Sequence, residues 1–152
     1  MIPQTIYGDS EHQAFRDTVR RFIDREIAPH HAQWEKDGVV SREVWTKAGA
    51  AGLRCPALPE EYGGGGRDFT LSAIVTEGLS RGVYNGPGFR VHSDIAAFYI
   101  LHHGNEAQRR HWLPRMATGE VIVALAMTEP GAGSDLQSIR TTAIRDGNDF
   151  VV

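Results

Sequence analysis

The chain has 152 residues, of which 41% are hydrophobic, and a formal net charge of −3. That length and composition suit a globular domain with its own core and exclude an intrinsically disordered chain. The small acidic balance gives no general affinity for nucleic acid or for an anionic membrane. Because Cys55 is the single cysteine, an internal disulfide and a multi-cysteine metal site are excluded. We expect the Cys55 thiol to be buried and neutral.

The start of the chain and its longest apolar run both argue against targeting to a membrane. Residues 1–15 have neither a basic region followed by an apolar one nor the Arg- and Ser-rich pattern of a transit peptide. The longest apolar run, residues 121–127, is far shorter than the roughly 20 residues that a membrane helix needs. We therefore expect a cytoplasmic protein without membrane insertion.

The first two thirds of the chain are predicted to form five helices. Apolar residues recur at steps of three and four between Phe15 and Ile27, with charged residues on the other face, which indicates an amphipathic helix. Pro29 should close this helix, because proline lacks an N–H donor and clashes with the preceding turn. Ser41 is the predicted N-cap of the second helix and Gly52 its stop.

Loops and caps delimit the remaining helices. Residues 55–66 contain two prolines and four consecutive glycines and are predicted to form a loop, after which Asp68 caps the third helix. Residues 85–88 form a turn before a fourth helix, which runs through Ile95 and His102. Asn105 and Gln108 have the spacing of a capping box for a fifth helix. The expected buried side chains of this fifth helix are Trp112, Leu113 and Met116.

The hydrophobic pattern changes at residue 121, and β-structure is predicted from there on. Residues 121–127 form a continuous apolar run of strand length, and residues 139–145 are rich in β-branched side chains. Asp146 and Gly147 indicate a hairpin before a last strand at residues 150–152. The sequence therefore predicts a run of helices followed by a run of strands, in two layers or two domains.

Residues 126–136, with the sequence AMTEPGAGSDL, combine a strand end, a Pro-Gly turn and hydroxyl side chains. Gly131 and Gly133 allow backbone torsions closed to other residues and let a ligand come close. Thr128 and Ser134 add hydroxyls and the loop adds N–H donors, which suits a polar ring edge or a phosphate. Taken alone, these residues also fit a glycine turn without a ligand, because the Walker and dinucleotide patterns are both incomplete.

The segment AMTEPGAGSD resembles the flavin-binding signature of acyl-CoA dehydrogenases. Other segments agree with that family in order and spacing, so the resemblance covers nearly the whole chain. These segments are the loop at residues 59–64, the helix start at residues 104–108, residues 111–114 before Gly119 and Glu120, and residues 86–89 with His92 and Ser93. The last of them looks most like the long-chain branch of the family.

The resemblance implies a mainly α fold. An N-terminal all-α domain would span residues 1–120, and residues 121–152 would be the incomplete start of a middle β-barrel-like, flavin-binding domain. A C-terminal four-helix domain follows these two in the family. The chain stops at Val152 inside a strand-like run, and three short strands are close to the minimum for a stable sheet. We therefore expect it to be a truncated part of a longer protein.

The resemblance also assigns a site for FAD. The residues that match the family signature and would line the flavin are Leu125, Ala126, Met127, Thr128, Glu129, Pro130, Gly131, Ala132, Gly133 and Ser134. Thr128 would bond to the pyrimidine side of the isoalloxazine ring, and Ser134 would lie near the pyrophosphate and the acyl-CoA. Pro87 and Val91 complete the predicted substrate-binding set. Both are apolar where medium-chain members carry polar residues, which predicts a preference for medium-to-long or branched acyl-CoAs over short ones.

The implied reaction is the α,β-dehydrogenation of an acyl-CoA thioester. A glutamate takes the α-proton while the β-hydride moves to the flavin, and the electrons then pass to an electron-transferring flavoprotein. The family's glutamate lies in its C-terminal part, so this chain alone is expected to be inactive and without a catalytic base. Of the carboxylates present, Glu129 belongs to the binding loop, and Glu60, Glu61 and Glu77 are interpreted as solvated or loop carboxylates. The full-length protein is expected to be a homo-oligomer, either a dimer or a tetramer.

Alternatives stay open beside this interpretation. An acyl-CoA oxidase or a nitroalkane-oxidase-like relative shares the loop, a catalytically silent homologue would act as a binding or scaffolding module, and a plain helical interaction domain would hold no flavin. The adjacent histidines at 30–31 and 102–103 look like metal ligands. Because helix neighbours point about 100° apart, such pairs do not easily share one ion, and no metal site is predicted.

Overall fold

The helical periodicity of the sequence is realised in a computed structural model that describes residues 9–152. That part of the chain is mostly helical, as predicted, and a short β-hairpin follows the helices. The α-helices are α1 Ser10–Phe22, α2 Ala28–Asp37, α3 Arg42–Ala50, α4 Thr70–Arg81, α5 Ala97–His103 and α6 Glu106–Ala117. The π-helical turns are Ile23–Ile27 and Val91–Ala96, the 3₁₀ turns are Glu60–Tyr62 and Leu136–Ser138, and the strands are β1 Ile144–Asp146 and β2 Asp149–Val151.

The first helix does not end at Pro29, so that prediction is wrong. Helical structure continues through α2 to Asp37. The π-helical turn Ile23–Ile27 precedes the proline, and Ala28 donates its N–H to the carbonyl of Ile23, five positions back. Pro29 therefore lies in the first turn of α2, where a missing N–H donor costs little. The sequence rule failed because the wider π turn shifts the hydrogen-bond register just before the proline.

The predicted caps are confirmed. The Ser41 hydroxyl caps α3, and Gly52 follows the end of that helix in left-handed backbone with a φ of 71°. Asn105 and Gln108 form the capping box of α6, with both hydrogen bonds 2.9 Å long. Asp68 accepts the first N–H of α4 at 2.9 Å. Each of these interactions joins residues no more than three positions apart, which is why the local sequence is sufficient to predict them.

Two apolar clusters form the core of the helical part. The first, which involves α1, α3 and α4, consists of Val19, Phe22, Ile23, Ile27, Val44, Trp45, Ala48, Leu53, Leu71, Ile74, Val75 and Phe89. The second, which involves α5, α6 and the turn Glu60–Tyr62, consists of Cys55, Leu58, Tyr62, Ala96, Ala97, Leu113, Met116 and Ala117. The second cluster is the one on which the following segment, residues 121–125, packs.

Most of the buried positions that the sequence predicts are confirmed. Cys55 is buried, and this burial raises the pKa of its thiol to about 11. Leu113 and Met116 are also fully buried. Trp112 is the exception, because it is 39% exposed. It directly precedes Leu113, so its side chain points about 100° away around the helix, toward the edge of the core.

Of the β-structure predicted after residue 120, the hairpin is confirmed and the strand at residues 121–127 is wrong. The hairpin exists, with Ile144 opposite Val151. Its two-residue loop begins at Gly147, whose φ of 60° suits the first position of a type II′ turn. Residues 121–127 were expected to form a strand, but they pair with no strand within residues 9–152. An apolar run indicates burial, whereas strand pairing depends on a neighbour that the run itself does not specify.

None of the helices within residues 9–152 combines the length and apolar character needed to cross a membrane.

Candidate functional site

The Arg42 side chain binds the backbone just after the end of α6. Its guanidinium donates to the carbonyl oxygen of Gly119 at 2.8 Å and also to that of Glu120. The Glu120 carboxylate in turn accepts from the Nε of Arg115 at 2.9 Å. Hydrogen bonds from a charged guanidinium to a carbonyl are stronger than neutral ones. The turn at residues 118–120 is therefore held to the start of α3 and to the last turn of α6.

The segment that follows is fixed to the helices along one side. Val121, Val123 and Leu125 pack against the second core cluster, and burial alternates along residues 121–125. The Val121 N–H donates to the carbonyl of Arg115 at 3.0 Å. The Val123 N–H donates to Nδ1 of His92 at 3.1 Å. The segment thus runs along the helices and leads into residues 125–134, which we call the glycine loop.

The glycine loop turns at Pro130 and Gly131. Glu129 and Ala132 exchange both of their backbone hydrogen bonds, at 3.0 and 3.1 Å, so the turn is closed in the manner of a tight hairpin. The Ala132 side chain is buried, and the residues on either side of it are exposed. The loop is therefore anchored at one point and presents the rest of its surface outward.

The Glu129 side chain holds the glycine loop to the segment before the hairpin. Its two carboxylate oxygens accept the N–H groups of Arg140 and Thr141 at 2.9 and 2.8 Å. Hydrogen bonding by the Thr141 side chain, together with these N–H groups, lowers the pKa of the Glu129 carboxyl. A carboxylate that is stabilised in its charged form in this way is a poor proton acceptor. Glu129 therefore acts as a brace within the site.

The polar groups expected to face a ligand are free in the chain. Within residues 9–152, the hydroxyls of Thr128 and Ser134 and the N–H groups of Gly131 and Gly133 have no hydrogen-bond partner. All four residues are exposed. A loop that presents two hydroxyls and unpaired N–H donors on one exposed turn is suited to bind an anion or a polar ring edge.

The glycines of the loop leave the space above its backbone open. Neither Gly131 nor Gly133 has a positive φ. A Cβ atom built on either of them has no neighbour within 4 Å in the part of the chain that the structure describes. The space over the loop is open, and a flat ring or a pyrophosphate could approach its backbone closely. FAD presents both of these groups, and the open loop with its free donors fits them.

The remaining residues of the predicted cofactor set differ in their surroundings. Leu125 is half-buried against the helices, so its side chain belongs to the packing of the segment. Met127 is more exposed, and Ala126 is exposed as well. The structure therefore brings all ten predicted residues together on one continuous loop, with the outward-facing groups concentrated between Thr128 and Ser134.

Two of the predicted substrate residues, Pro87 and Val91, lie before α5 and differ in burial, whereas Ser134 lies in the glycine loop. Pro87 is fully buried, whereas Val91 is 43% exposed. A cleft between α4 and the π-helical turn Val91–Ala96 has a volume of about 10 Å³. Such a volume holds one water at most, which is too little for an acyl chain. This cleft is therefore not the space that would hold an acyl chain.

Two of the carboxylates that could be mistaken for a catalytic base, Glu61 and Glu77, lie beside guanidinium groups. Glu77 pairs with Arg16 at 2.5 Å and with Arg81 at 2.7 Å. Hydrogen bonds from these two guanidinium groups lower the pKa of Glu77, and the bond from Arg16 has the larger effect. Glu61 lies 4.0 Å from Arg110 on the surface. Among residues 9–152, no three His, Cys, Asp or Glu side chains cluster as a metal site would require.

Two residues that organise the site are absent from the sequence-based prediction. Arg42 and His92 hold the approach to the glycine loop from 77 and 31 positions away in the sequence, measured to Gly119 and Val123. No local pattern marks such a contact, because helix periodicity reports burial but not the partner. In the sequence, His92 is recognisable only as part of the segment that resembles the long-chain branch of the family.

Comparison with known proteins agrees with this geometry. Residues 9–120 match the family described as acyl-CoA dehydrogenase, N-terminal domain. The mitochondrial long-chain specific acyl-CoA dehydrogenase of Sus scrofa is 51% identical over 143 residues, which cover 94% of this chain and 33% of that protein. The chain thus spans about a third of the length of the curated relatives that it matches.

Solved structures give the same result. The crystal structure of acyl-CoA dehydrogenase from Geobacillus kaustophilus superposes with a TM-score of 0.88 at 44% identity, covering 95% of this chain and 38% of that one. A glutaryl-CoA dehydrogenase from Mycobacterium smegmatis, in complex with FADH2, superposes with a TM-score of 0.87 at 28% identity, covering 97% of this chain and 38% of that one. With the helical fold and the glycine loop, these matches show that the chain belongs to the acyl-CoA dehydrogenase family.

Proposed function

We propose that the full-length protein is an FAD-dependent dehydrogenase of acyl-CoA thioesters and that the glycine loop is part of its flavin site. The observation that carries this proposal is the exposed turn at residues 128–134. The hydroxyls of Thr128 and Ser134 and the N–H groups of its two glycines have no partner within the described chain, and both glycines have open space above them. The flavin complex of the Mycobacterium smegmatis relative supports the same assignment.

The residues of this chain bind and position the cofactor. Bound FAD supplies the acceptor for the hydride that leaves the β-carbon of the substrate. The Thr128 hydroxyl and the neighbouring N–H groups would hold the polar edge of the ring, and Ser134 would hold the pyrophosphate. Glu129 keeps the turn in shape through its bonds to Arg140 and Thr141. The helical part supplies a rigid wall against which the loop is placed, and such positioning is the main protein contribution to this type of reaction.

The base that removes the α-proton is proposed to come from a part of the full-length protein outside these 152 residues. Glu77 and Glu129 each accept two hydrogen bonds, and in both the pKa of the carboxyl is lowered. A general base works best with a pKa near the operating pH. These two carboxylates are therefore assigned structural roles, and this chain by itself is expected to be inactive.

The proposed substrates are medium-to-long or branched acyl-CoAs, and the proposed electron acceptor is an electron-transferring flavoprotein. Support for the chain length comes from the apolar, exposed Val91 and from the long-chain specific relative of Sus scrofa. Exposed apolar side chains on the hairpin, such as Ile144 and Phe150, favour assembly with further chain or further copies. A homo-oligomer and a cytoplasmic location stay predictions of the sequence.

The test is anaerobic reduction of the flavin by substrate in the full-length protein. We expect the purified protein to be yellow and its visible flavin band to bleach on addition of acyl-CoA, most efficiently with long chains. A series from butyryl-CoA to palmitoyl-CoA measures the preference. A colourless protein, or a yellow protein that no acyl-CoA bleaches, would contradict the proposal. Rapid reoxidation by oxygen in place of a flavoprotein acceptor would instead indicate the oxidase alternative.

A further inference from the structure

One buried imidazole, that of His92, joins the helical part to the segment that leads into the glycine loop. His92 lies in the π-helical turn Val91–Ala96 and is 1% exposed. Its Nε2 is 3.2 Å from the carbonyl oxygen of Met116 at the end of α6. Its Nδ1 is 3.1 Å from the backbone nitrogen of Val123. Three separate parts of the chain thus meet at one ring.

The two partners determine which tautomer of His92 is present. A carbonyl oxygen accepts but never donates, so Nε2 must carry the hydrogen that it gives to Met116. Nδ1 is then the nitrogen with the lone pair, and it accepts the N–H of Val123. Burial, helped by the nearby Arg54 guanidinium, lowers the pKa of His92 to about 4. The ring is therefore neutral around pH 7, in the one form that can make both bonds.

The surroundings of His92 leave its ring little freedom to turn. Trp45 meets it edge to face, with 5.6 Å between the ring centroids. The Arg54 guanidinium stacks on the ring of Trp45, 3.9 Å from its centroid. Arg54 is itself 1% exposed. Close packing of this kind keeps side chains in single rotamers. His92 is thus held in place before any ligand arrives.

The bond to Val123 is the last one between the helices and the glycine loop. From residue 124 to residue 128, no hydrogen bond reaches the helical part within residues 9–152. The next bonds belong to Glu129, and they stay within the loop and the segment before the hairpin. Thr128 follows Val123 by five positions, so the Val123 bond, together with the packing of Leu125 on the second core cluster, positions the start of the loop. The same π-helical turn carries Val91 on its exposed side.

We propose that His92 is a positioning residue, which sets the spacing between the glycine loop and the turn that carries Val91. The proposal rests on the proposed function, because this spacing matters to a reaction only if the loop holds the flavin. In that case His92 fixes the flavin relative to the acyl chain without touching either of them. A small displacement between reacting groups is costly, since their alignment contributes a large part of the rate.

Three variants of the full-length enzyme test this role. His92→Phe keeps a ring but removes both the donor and the acceptor, whereas His92→Gln keeps one of each in its amide. His102→Phe is the matched control. The His102 side chain is exposed and, in the described chain, makes no hydrogen bond; its ring contacts only that of Phe98. The readouts are the dissociation constant of FAD, the visible circular dichroism of the bound flavin, kcat and KM, and the melting temperature.

We expect His92→Phe to weaken FAD binding by about tenfold, the effect of roughly one lost buried hydrogen bond. It should also change the circular dichroism of the flavin and lower kcat more than it changes KM. His92→Gln should recover most of these effects, and His102→Phe should behave like the wild type. A purely structural role would lower the melting temperature alone. Unchanged FAD affinity, dichroism and kcat in His92→Phe would overturn the proposal.

Two further measurements keep the outcome decisive. If the wild type holds no flavin, the proposed function fails, and hydrogen exchange then judges His92 by itself. The Val123 amide should be protected in the wild type and exchange faster in His92→Phe, and equal exchange would contradict the inference. If His92→Phe does not fold, ¹⁵N chemical shifts of the wild-type imidazole decide. We expect hydrogen on Nε2, and hydrogen on Nδ1 would overturn the proposal, because Val123 would then lack its acceptor.

Discussion

A methyl group added at Gly49 and one added at Gly133 would meet opposite surroundings. At Gly49, in α3, the new carbon would lie 2.1 Å from the carbonyl oxygen of Thr118, so two backbones already touch there. At Gly133, in the glycine loop, it would meet nothing within 4 Å in the described chain. At Gly49, glycine is required by the packing of the chain on itself. At Gly133 the described chain makes no such demand, and the proposed function gives a reason for a small residue there, because a bound flavin would need the space.

The largest effect on folding is expected for Gly49→Ala. Three backbone atoms of Thr118 lie within 2.8 Å of the added carbon, so the crossing of α3 and the end of α6 must open. We expect a loss of about 3 kcal/mol in the free energy of unfolding, at the upper end for overpacking. Gly52→Ala is the control, since it has free space and only an unfavourable φ of 71°, at a cost of about 1 kcal/mol. Equal losses in chemical denaturation would refute the packing argument.

Thr128→Ala should weaken flavin binding and leave folding unchanged. The Thr128 hydroxyl has no partner within residues 9–152, so its loss removes no bond of the fold. We expect the free energy of FAD binding to fall by about 1–2 kcal/mol, as for one hydrogen bond to a ligand. Thr142→Ala, also exposed and without a hydrogen bond in the described chain, is the control. Titration calorimetry with FAD measures both, and a lower melting temperature in Thr128→Ala would contradict the assignment.

The hydrogen bonds that the Glu129 carboxylate accepts from Arg140 and Thr141 should weaken at low pH. Because the pKa of Glu129 in the folded chain is lowered below its ordinary value of 4.5, its stabilising effect is complete above that value. The effect is lost as the pH falls through the lowered pKa. The amide proton shifts of Arg140 and Thr141 should therefore move together below about pH 4.5. In Glu129→Gln this joint transition should be missing, and its persistence there would assign it to another group.

The smallest effect is expected at Val83, in the helical part. Val83 is 68% exposed and has a φ of 58°, which is strained for a β-branched residue. Val83→Asn should raise the free energy of unfolding by about 1 kcal/mol, because asparagine tolerates this conformation. Val39→Asn, at a position that is 66% exposed without a positive φ, should not stabilise. A melting temperature that rises equally in both variants would exclude backbone strain as the cause.

The caps and the loop motif could be predicted from the sequence because they depend on near neighbours. Asn105 and Gln108 satisfy each other within one turn, and Gly147 has the torsion that its turn demands. The path beyond Pro29 could not be predicted, because a π turn changes which donor is needed. The unpaired run at residues 121–127 was missed as well. A strand requires a partner, and none is encoded in the run.

The residues of the glycine loop were predictable only through a signature, and their surroundings were not. The open space at Gly133 and the two bonds of Glu129 follow from the folded backbone. The contribution of His92 depends on Met116 and Val123, 24 and 31 positions away in the sequence. Contacts at such distances arise from the packing of helices, and residue type and periodicity do not specify them.

The most direct test of the central claim, that the glycine loop is shaped for a flavin and not for the fold, is Gly133→Val in the full-length protein. Flavin content and melting temperature of the flavin-free protein are measured together, with Ala143→Val as the control at an exposed position outside the loop. We predict that Gly133→Val purifies colourless, because its side chain occupies the space of the ligand, and melts like the wild type. A fully yellow Gly133→Val protein with unchanged flavin affinity would contradict the account.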